Sequence, residues 1–171
     1  FVGDSYCTGG ALLFGGGGLL AGMSLWFEAH RPQTQMFGVQ TVGCPSMRAA
    51  VRGEEPPALQ TLTLADGIAV KRPGKLTTPI LARRCEEILL VGEAEIEHAV
   101  QTLASQNKVV AEGGGAVPLS ALAQDPARFQ GKKVCLVISG GNIDRRMLST
   151  VLLRGLARDG KVARLHIEIR D

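Results

Sequence analysis

The chain has 171 residues, 45% of them hydrophobic, which is enough for one domain with a sizeable core. The formal net charge is only +3 and the aromatic content only 4%, so a surface that binds nucleic acid is not expected. No apolar run reaches membrane-spanning length. The four cysteines are too widely spaced for a zinc site or a disulfide framework, which indicates a reduced, cytoplasmic protein.

The first predicted element is a strand over residues 11–14, and four consecutive glycines follow it: Gly15, Gly16, Gly17 and Gly18. Glycines add no side chain to a core, but the N–H groups of such a loop can all face an anion at the positive end of the next helix. The run therefore predicts a phosphate cradle. A flexible linker is disfavoured because apolar segments flank the run. A sugar phosphate, a nucleotide and a phosphorylated cofactor would fit the run equally well.

After the glycines, helix-like and strand-like segments alternate along the chain. Helices are predicted over residues 19–30, 46–52, 93–104, about 116–123 and up to about 156, strands over 35–39, 87–91 and 133–138, and irregular segments over 53–60 and 61–78. The predicted fold class is α/β, with an open, mostly parallel sheet and helices on both faces. Because loops at the carboxyl ends of parallel strands gather at one edge, loops 15–18 and 139–142 should lie together.

Three further segments have ordinary explanations when each is taken alone. Asp66-Gly67 is a common turn dipeptide, and Glu112, before three glycines, would be a solvated charge near a helix start. The segment from Ser139 to Asn142 would be a strand-to-helix turn with Asn142 as the N-cap. The combination of these segments is more specific than any one of them.

Four segments occur in one order: GGGGLLAG at 15–22, TLADGIAVK at 63–71, VAEGGGA at 110–116 and VISGGNID at 137–144. This series resembles the C-terminal half of the catalytic region of the threonine/serine dehydratase (threonine ammonia-lyase) family. Members of that family use pyridoxal phosphate on fold type II, the scaffold of the tryptophan synthase β-subunit. The resemblance implies that the sheet is an incomplete large lobe of such an enzyme.

The resemblance also implies roles for individual residues toward pyridoxal 5′-phosphate. The four glycines, with the N–H of Leu19, would hold the phosphate group. The backbone at Gly67 and the side chain of Glu112 would lie close to the ring, and Ser139 would form a hydrogen bond with the pyridine nitrogen. Because a serine hydroxyl does not force protonation of that nitrogen, the cofactor would withdraw electrons less strongly. This suits removal of an α-proton coupled to loss of a β-hydroxyl group.

Departures from the family pattern lead to further expectations. Metal-binding members of the family have acidic residues where this chain has Gln40 and Ser46, so no bound divalent cation is predicted. The glutamate-proline pair usual in the family is Glu112-Gly113 here. The Schiff-base lysine of the family lies in a Ser-(Phe/Tyr)-Lys motif that does not occur in these 171 residues. No catalytic residue is therefore assigned, and the isolated chain is expected to be inactive.

The tail of the chain resembles the connection to a C-terminal ACT regulatory domain. Residues 1–155 are expected to form the C-terminal part of the catalytic domain, and residues 156–171 a linker and the first strand of a truncated ACT-like domain. The chain is thus expected to be a fragment of a cytoplasmic lyase of isoleucine biosynthesis. That enzyme would act on threonine or serine as a dimer or tetramer, without nucleic-acid or membrane partners. The alternatives are a relative of serine racemase or hydroxyaspartate dehydratase, and a non-catalytic remnant that binds a phosphate ligand.

Overall fold

The computed structural model of the chain describes residues 11–15, 17–55, 57, 58, 62–163, 165, 167 and 169. Its strands are β1 (Ala11–Gly15), β2 (Gln35–Thr41), β3 (Cys85–Val91) and β4 (Val134–Val137). Its α-helices are α1 (Gly17–His30), α2 (Ser46–Arg52), α3 (Thr77–Arg84), α4 (Glu93–Thr102), α5 (Gly113–Gln124) and α6 (Arg145–Arg158). Short 3-10 turns span Asp66–Ile68 and Pro126–Phe129, and a π-helical turn at Leu103–Asn107 continues α4.

The four described strands form one parallel sheet in the order β3-β2-β1-β4. In the centre of the sheet, Phe14 of β1 pairs with Gly38 of β2 on one side and with Val137 of β4 on the other. The predicted parallel α/β sheet is therefore confirmed. Since β1 and β4 are neighbours, the loops that follow them leave the same edge of the sheet, as predicted.

Helices cover both faces of the sheet, and adjacent residues of β2 show the division. Phe37 belongs to a core that α5 completes with Val117 and Ala121. Met36 belongs to the opposite core, which includes Leu20 of α1 and Leu81 of α3. Successive side chains of a strand point to opposite faces, so a β2 that is buried on both sides requires two helical layers.

Helices α4 and α6 form a further packed pair beside α5. Helix α6 packs on α4 through a third buried cluster that includes Val100 and Val151. Gln101 of α4 is buried in this interface, and a Cβ on Gly155 of α6 would overlap its side chain. The amide of Gln101 also contacts Asp159, with an Nε2–Oδ2 distance of 3.4 Å. The C-terminal end of α6 is thereby fixed on α4.

Two local features differ from the sequence-based expectations. Helix α3 begins inside the segment 61–78, which was predicted to be irregular. That prediction was wrong at this point because the first turn of the helix contains the weak helix formers Thr77, Thr78 and Pro79. The fully buried Leu81 packs this helix on α1. At α6, Asp144 caps the helix, in place of the Asn142 that the ordinary explanation of residues 139–142 would use. Its Oδ1 atom accepts hydrogen bonds from the N–H groups of residues 146 and 147.

The tail of the chain has few described residues. Residues 165, 167 and 169 are exposed and lie outside any helix or strand. The first strand of an ACT-like domain, expected within residues 156–171, and the domain itself thus stay predictions. None of the described helices is long and apolar enough to cross a membrane.

Candidate functional site

The glycine run lies where β1 ends and α1 begins. Gly15 is the last residue of β1, Gly17 is the first of α1, and Gly16 lies outside the described residues. The N–H groups in the first turn of a helix have no acceptor within the helix, and this first turn contains no acidic residue. Gly18 and Leu19 are exposed, and a Cβ on Gly18 would meet no atom within 4 Å. This end of α1 is therefore open to an anion.

Ser139 follows β4, the strand next to β1. Because Phe14 pairs with Val137, the glycine run and Ser139 start from neighbouring strand ends. The Ser139 side chain is half-buried, and its hydroxyl makes no hydrogen bond to another described residue. A ligand between the two loops thus finds a free hydroxyl group on one side and helix N–H groups on the other.

Three consecutive glycines allow other segments to approach the start of α5. A Cβ on Gly113 would overlap the carbonyl oxygen of Leu64, and one on Gly114 would lie 3.1 Å from Cγ2 of Ile68. A Cβ on Gly115 would overlap the carbonyl oxygen of Ser139. The loop that carries Gly67 and the loop that carries Ser139 therefore both rest on one helical turn. Sequence reasoning missed this role, although the run of glycines at a helix start was its signal.

Glu112 precedes this turn and faces the loop after β4. Its N–H donates a hydrogen bond to the carbonyl oxygen of Gly140, at 3.3 Å. Its carboxylate does not cap α5 but occupies the space that a side chain on Gly140 would need. Gly140 has a φ of +86°, a conformation that side-chain-bearing residues rarely adopt. The structure thus brings Glu112 and Ser139 together.

Gly67 lies in the 3-10 turn Asp66–Ile68 and is exposed. Its N–H donates to Oδ1 of Asp66 at 2.7 Å, and a Cβ on Gly67 would meet no atom within 4 Å. Ile68 next to it lines a cavity of about 310 Å³ together with Gly17 and Gly18. The structure therefore places Gly67 beside the same group of loops as the glycine run.

The cavity wall also contains Gln40 and Ser46, the two residues on which the expectation of no metal rests. Oε1 of Gln40 accepts a hydrogen bond from the N–H of Arg48 at 2.9 Å. The Ser46 hydroxyl donates to the carbonyl oxygen of Val70. Among the described residues, no group of three or more His, Cys, Asp or Glu could hold a metal ion. The side chains of Gln40 and Ser46 are thus both hydrogen-bonded to backbone groups of the chain.

Comparison with known proteins identifies the family. The family of pyridoxal-phosphate dependent enzymes matches residues 11–140. The chain belongs to this family. An L-threonine ammonia-lyase of Thermotoga maritima is 42% identical over 158 residues, which are 92% of this chain and 39% of that protein. The chain spans about two fifths of the length of two curated L-threonine ammonia-lyases that it matches.

Solved structures of family members have the same fold. A threonine deaminase from T.th. is 35% identical with a TM-score of 0.71, over 78% of this chain and 50% of that one. A serine racemase from Dictyostelium discoideum is 32% identical with a TM-score of 0.65, over 78% of this chain and 43% of that one. The resemblance to threonine/serine dehydratases and the fold type are thereby confirmed, and so is pyridoxal phosphate as the cofactor of the family.

The described residues fit this cofactor. A phosphate group needs N–H donors without acceptors, and the open first turn of α1 provides them. The nitrogen of a pyridine ring can form a hydrogen bond, and the Ser139 hydroxyl has no other partner among the described residues. The individual contacts of Gly15–Gly18, Leu19, Gly67, Glu112 and Ser139 with the cofactor stay predictions.

Proposed function

We propose that the full-length protein containing this chain is a pyridoxal-phosphate dependent lyase that converts threonine or serine to a 2-oxo acid and ammonia. The observation that carries the proposal is the position of the Ser139 hydroxyl in the loop after β4, the strand next to β1, which the glycine run ends. A hydroxyl at the ring nitrogen, rather than a carboxylate, suits elimination. The names of the threonine ammonia-lyase and threonine deaminase relatives support the same substrate class.

In this proposal the glycine run binds and orients the cofactor through its phosphate group. The N–H groups of Gly17, Gly18 and Leu19 point out of the helix start, where the helix dipole adds a positive potential. In this proposal Gly15, the last residue of β1, and Gly16 also contribute to the phosphate site. Because no side chain stands over Gly18, the phosphate group can approach the backbone closely.

The remaining residues surround the ring. When bound, pyridoxal phosphate supplies an electron sink that assists removal of the α-proton. The Ser139 hydroxyl accepts or donates a hydrogen bond at the ring nitrogen without fixing a positive charge there. The Glu112 carboxylate and the Gly67 backbone would contact the ring, and α5 would keep the loops of Gly67 and Ser139 in place around it.

The lysine that bonds to the cofactor is, in this proposal, supplied by a part of the full-length protein outside these 171 residues. The same holds for the loop that grips the substrate carboxylate. Residues 1–155 would then belong to the catalytic domain, and residues 156–171 would lead into an ACT-like regulatory domain. We further propose a cytoplasmic dimer or tetramer that takes part in isoleucine biosynthesis, binds an amino-acid substrate, and has neither nucleic-acid nor membrane partners.

A serine racemase activity is the second candidate, because one solved relative of that name is 32% identical to this chain. Lyase and racemase share removal of the α-proton and differ in whether the β-hydroxyl leaves. Gln40 and Ser46 favour the lyase, since these two residues stand where metal-binding members of the family have acidic residues. Both side chains form hydrogen bonds with the backbone instead.

The test uses the full-length protein with pyridoxal phosphate and L-threonine. We expect stoichiometric release of 2-oxobutanoate and ammonia, and a coupled enzymatic reduction of the oxo acid measures its formation. With L-serine, the same reduction assay measures pyruvate and chiral chromatography measures D-serine, and pyruvate should be in excess. An excess of D-serine would favour the racemase, and the absence of turnover with a bound cofactor would contradict both activities.

A further inference from the structure

The carboxylate of Glu93 joins three segments at the carboxyl edge of the sheet. Its Oε1 atom accepts hydrogen bonds from the hydroxyl groups of Thr41, at 3.1 Å, and of Thr63. Its Oε2 atom accepts one from the N–H of Leu64 at 2.8 Å. Thr41 ends β2 and Glu93 begins α4, whereas Thr63 and Leu64 belong to the segment that leads to Gly67. Glu93 therefore attaches that segment to two regular elements.

The elements that carry Glu93 are firmly packed. Val91, at the end of β3, is 1% exposed, and its carbonyl oxygen accepts a hydrogen bond from the N–H of Val42 at 2.9 Å. Ile96, in the first turn of α4, is fully buried. The side chain of Glu93 is exposed, but its backbone lies between these two buried residues and therefore has little freedom to follow a moving loop. Glu93 thus acts as a fixed point for residues 63–65.

The opposite side of the same segment rests on α5. The carbonyl group of Leu64 lies against Gly113, and Ala65 is fully buried. The carbonyl oxygen of Ala65 then accepts a hydrogen bond from the N–H of Ile68 at 3.0 Å, which closes the turn that contains Gly67. The turn is therefore held between Glu93 on one side and α5 on the other.

We propose that Glu93 is a positioning residue for the cofactor site. Its carboxylate fixes residues 63–65 and thereby sets the distance between the backbone of Gly67 and the ring of pyridoxal phosphate. This inference rests on the proposed function, because it takes Gly67 as a neighbour of the cofactor. An ionised carboxylate accepts all three hydrogen bonds, and such charge-assisted bonds are strong. An amide at this position keeps one acceptor oxygen and turns two N–H donors toward the remaining donors.

The experiment compares Glu93→Gln with Glu95→Gln in the full-length protein. Glu95 lies in the same first turn of α4 and is exposed, but it makes no hydrogen bond to residues 63–65. Two quantities are measured: the Kd for pyridoxal phosphate by fluorescence titration, and amide hydrogen exchange over residues 62–69 in the apoprotein. We expect Glu93→Gln to raise the Kd about tenfold and to speed exchange in this segment. Glu95→Gln should change neither quantity.

A milder pair of variants keeps the test valid if Glu93→Gln folds poorly. Thr63→Val removes one donor to the carboxylate and also the acceptor of the Ala65 N–H, and should raise the Kd about threefold. Thr63→Ser keeps the hydroxyl group and should restore the wild-type Kd. The absorption spectrum of the bound cofactor should shift in Thr63→Val and not in Thr63→Ser, whereas a purely structural role would leave the spectrum unchanged.

The outcomes separate the two proposals. Faster exchange with an unchanged Kd, or equal effects of Glu93→Gln and Glu95→Gln, would overturn the positioning role and leave the proposed function intact. A wild-type protein that does not bind pyridoxal phosphate would contradict the proposed function and, with it, the positioning role. A raised Kd confined to Glu93→Gln and Thr63→Val supports the inference.

Discussion

The carbonyl oxygen of Ser139 lies in the space that a side chain on Gly115 would occupy. This contact places the loop after β4 directly on the first turn of α5. The same turn supports Leu64 and Ile68, on the segment that carries Gly67. The packing of one glycine-rich helical turn thus determines the geometry of two loops of the candidate site.

Gly115→Ala tests this packing. Alanine is normally favoured over glycine within a helix, but here its Cβ overlaps backbone, and such overpacking costs about 1–3 kcal/mol. We expect a lower Tm and an affinity for pyridoxal phosphate reduced about tenfold or more, because the Ser139 loop must move. Thermal unfolding and cofactor titration of the full-length protein measure both.

Gly22→Ala is the matched control for this change. Gly22 also lies inside a helix, α1, but a Cβ there meets no atom of the described residues within 4 Å. Alanine should raise the free energy of unfolding by about 0.5–1 kcal/mol and leave cofactor affinity unchanged. If Gly115→Ala behaved like Gly22→Ala, the close contact with Ser139 would be contradicted.

Ser139→Ala separates binding from folding. The hydroxyl group has no hydrogen-bond partner among the described residues, so its removal should leave the Tm of the apoprotein unchanged. Loss of one hydrogen bond to the ring nitrogen should weaken cofactor binding by about three- to tenfold. Differential scanning fluorimetry without cofactor and fluorescence titration with it test the two expectations. A lower apoprotein Tm with unchanged cofactor affinity would mean that the hydroxyl serves the fold.

The sheet and the grouping of its loops were predictable from the sequence, because apolar strands and glycine-rich loops are local patterns. Helix α3 was not predicted, since its stability comes from Leu81 packed on α1 rather than from its own weak helix formers. For Glu93 the sequence predicted only that it begins the helix over residues 93–104. Its bonds to Thr41 and Thr63 span 52 and 30 residues of sequence, and no local pattern indicates such contacts.

Stability at alkaline pH should depend on Cys85. Burial raises the pKa of the Cys85 thiol from 9.0 to about 11, and the charges of Glu86 and Glu87 add to this. The folded state therefore favours the protonated thiol, and this contribution is present below pH 9 and lost between pH 9 and about 11. Between pH 9 and about 11, the free energy of unfolding of Cys85→Ala should thus fall by about 1–2 kcal/mol less than that of the wild type.

Urea unfolding at several pH values between 8 and 11 measures this difference between wild type and Cys85→Ala. The two curves of unfolding free energy against pH should converge as the pH rises above 9. Parallel curves over the whole range would show that the Cys85 thiol titrates at the same pH in the folded and unfolded states.

The most direct test of the phosphate site is Gly18→Asp, with Gly22→Asp as its control in the same helix. Gly18 has free space around it, and an acidic residue in the first turn of a helix favours the helix, so the fold should persist. The new carboxylate occupies the site of the phosphate and repels it. We predict that the Kd of the full-length protein for pyridoxal phosphate rises about a hundredfold in Gly18→Asp, because the carboxylate repels the phosphate and accepts hydrogen bonds from the same N–H groups. The Kd should stay unchanged in Gly22→Asp. An unchanged Kd in a folded Gly18→Asp variant would contradict the assignment of the glycine run as the phosphate cradle.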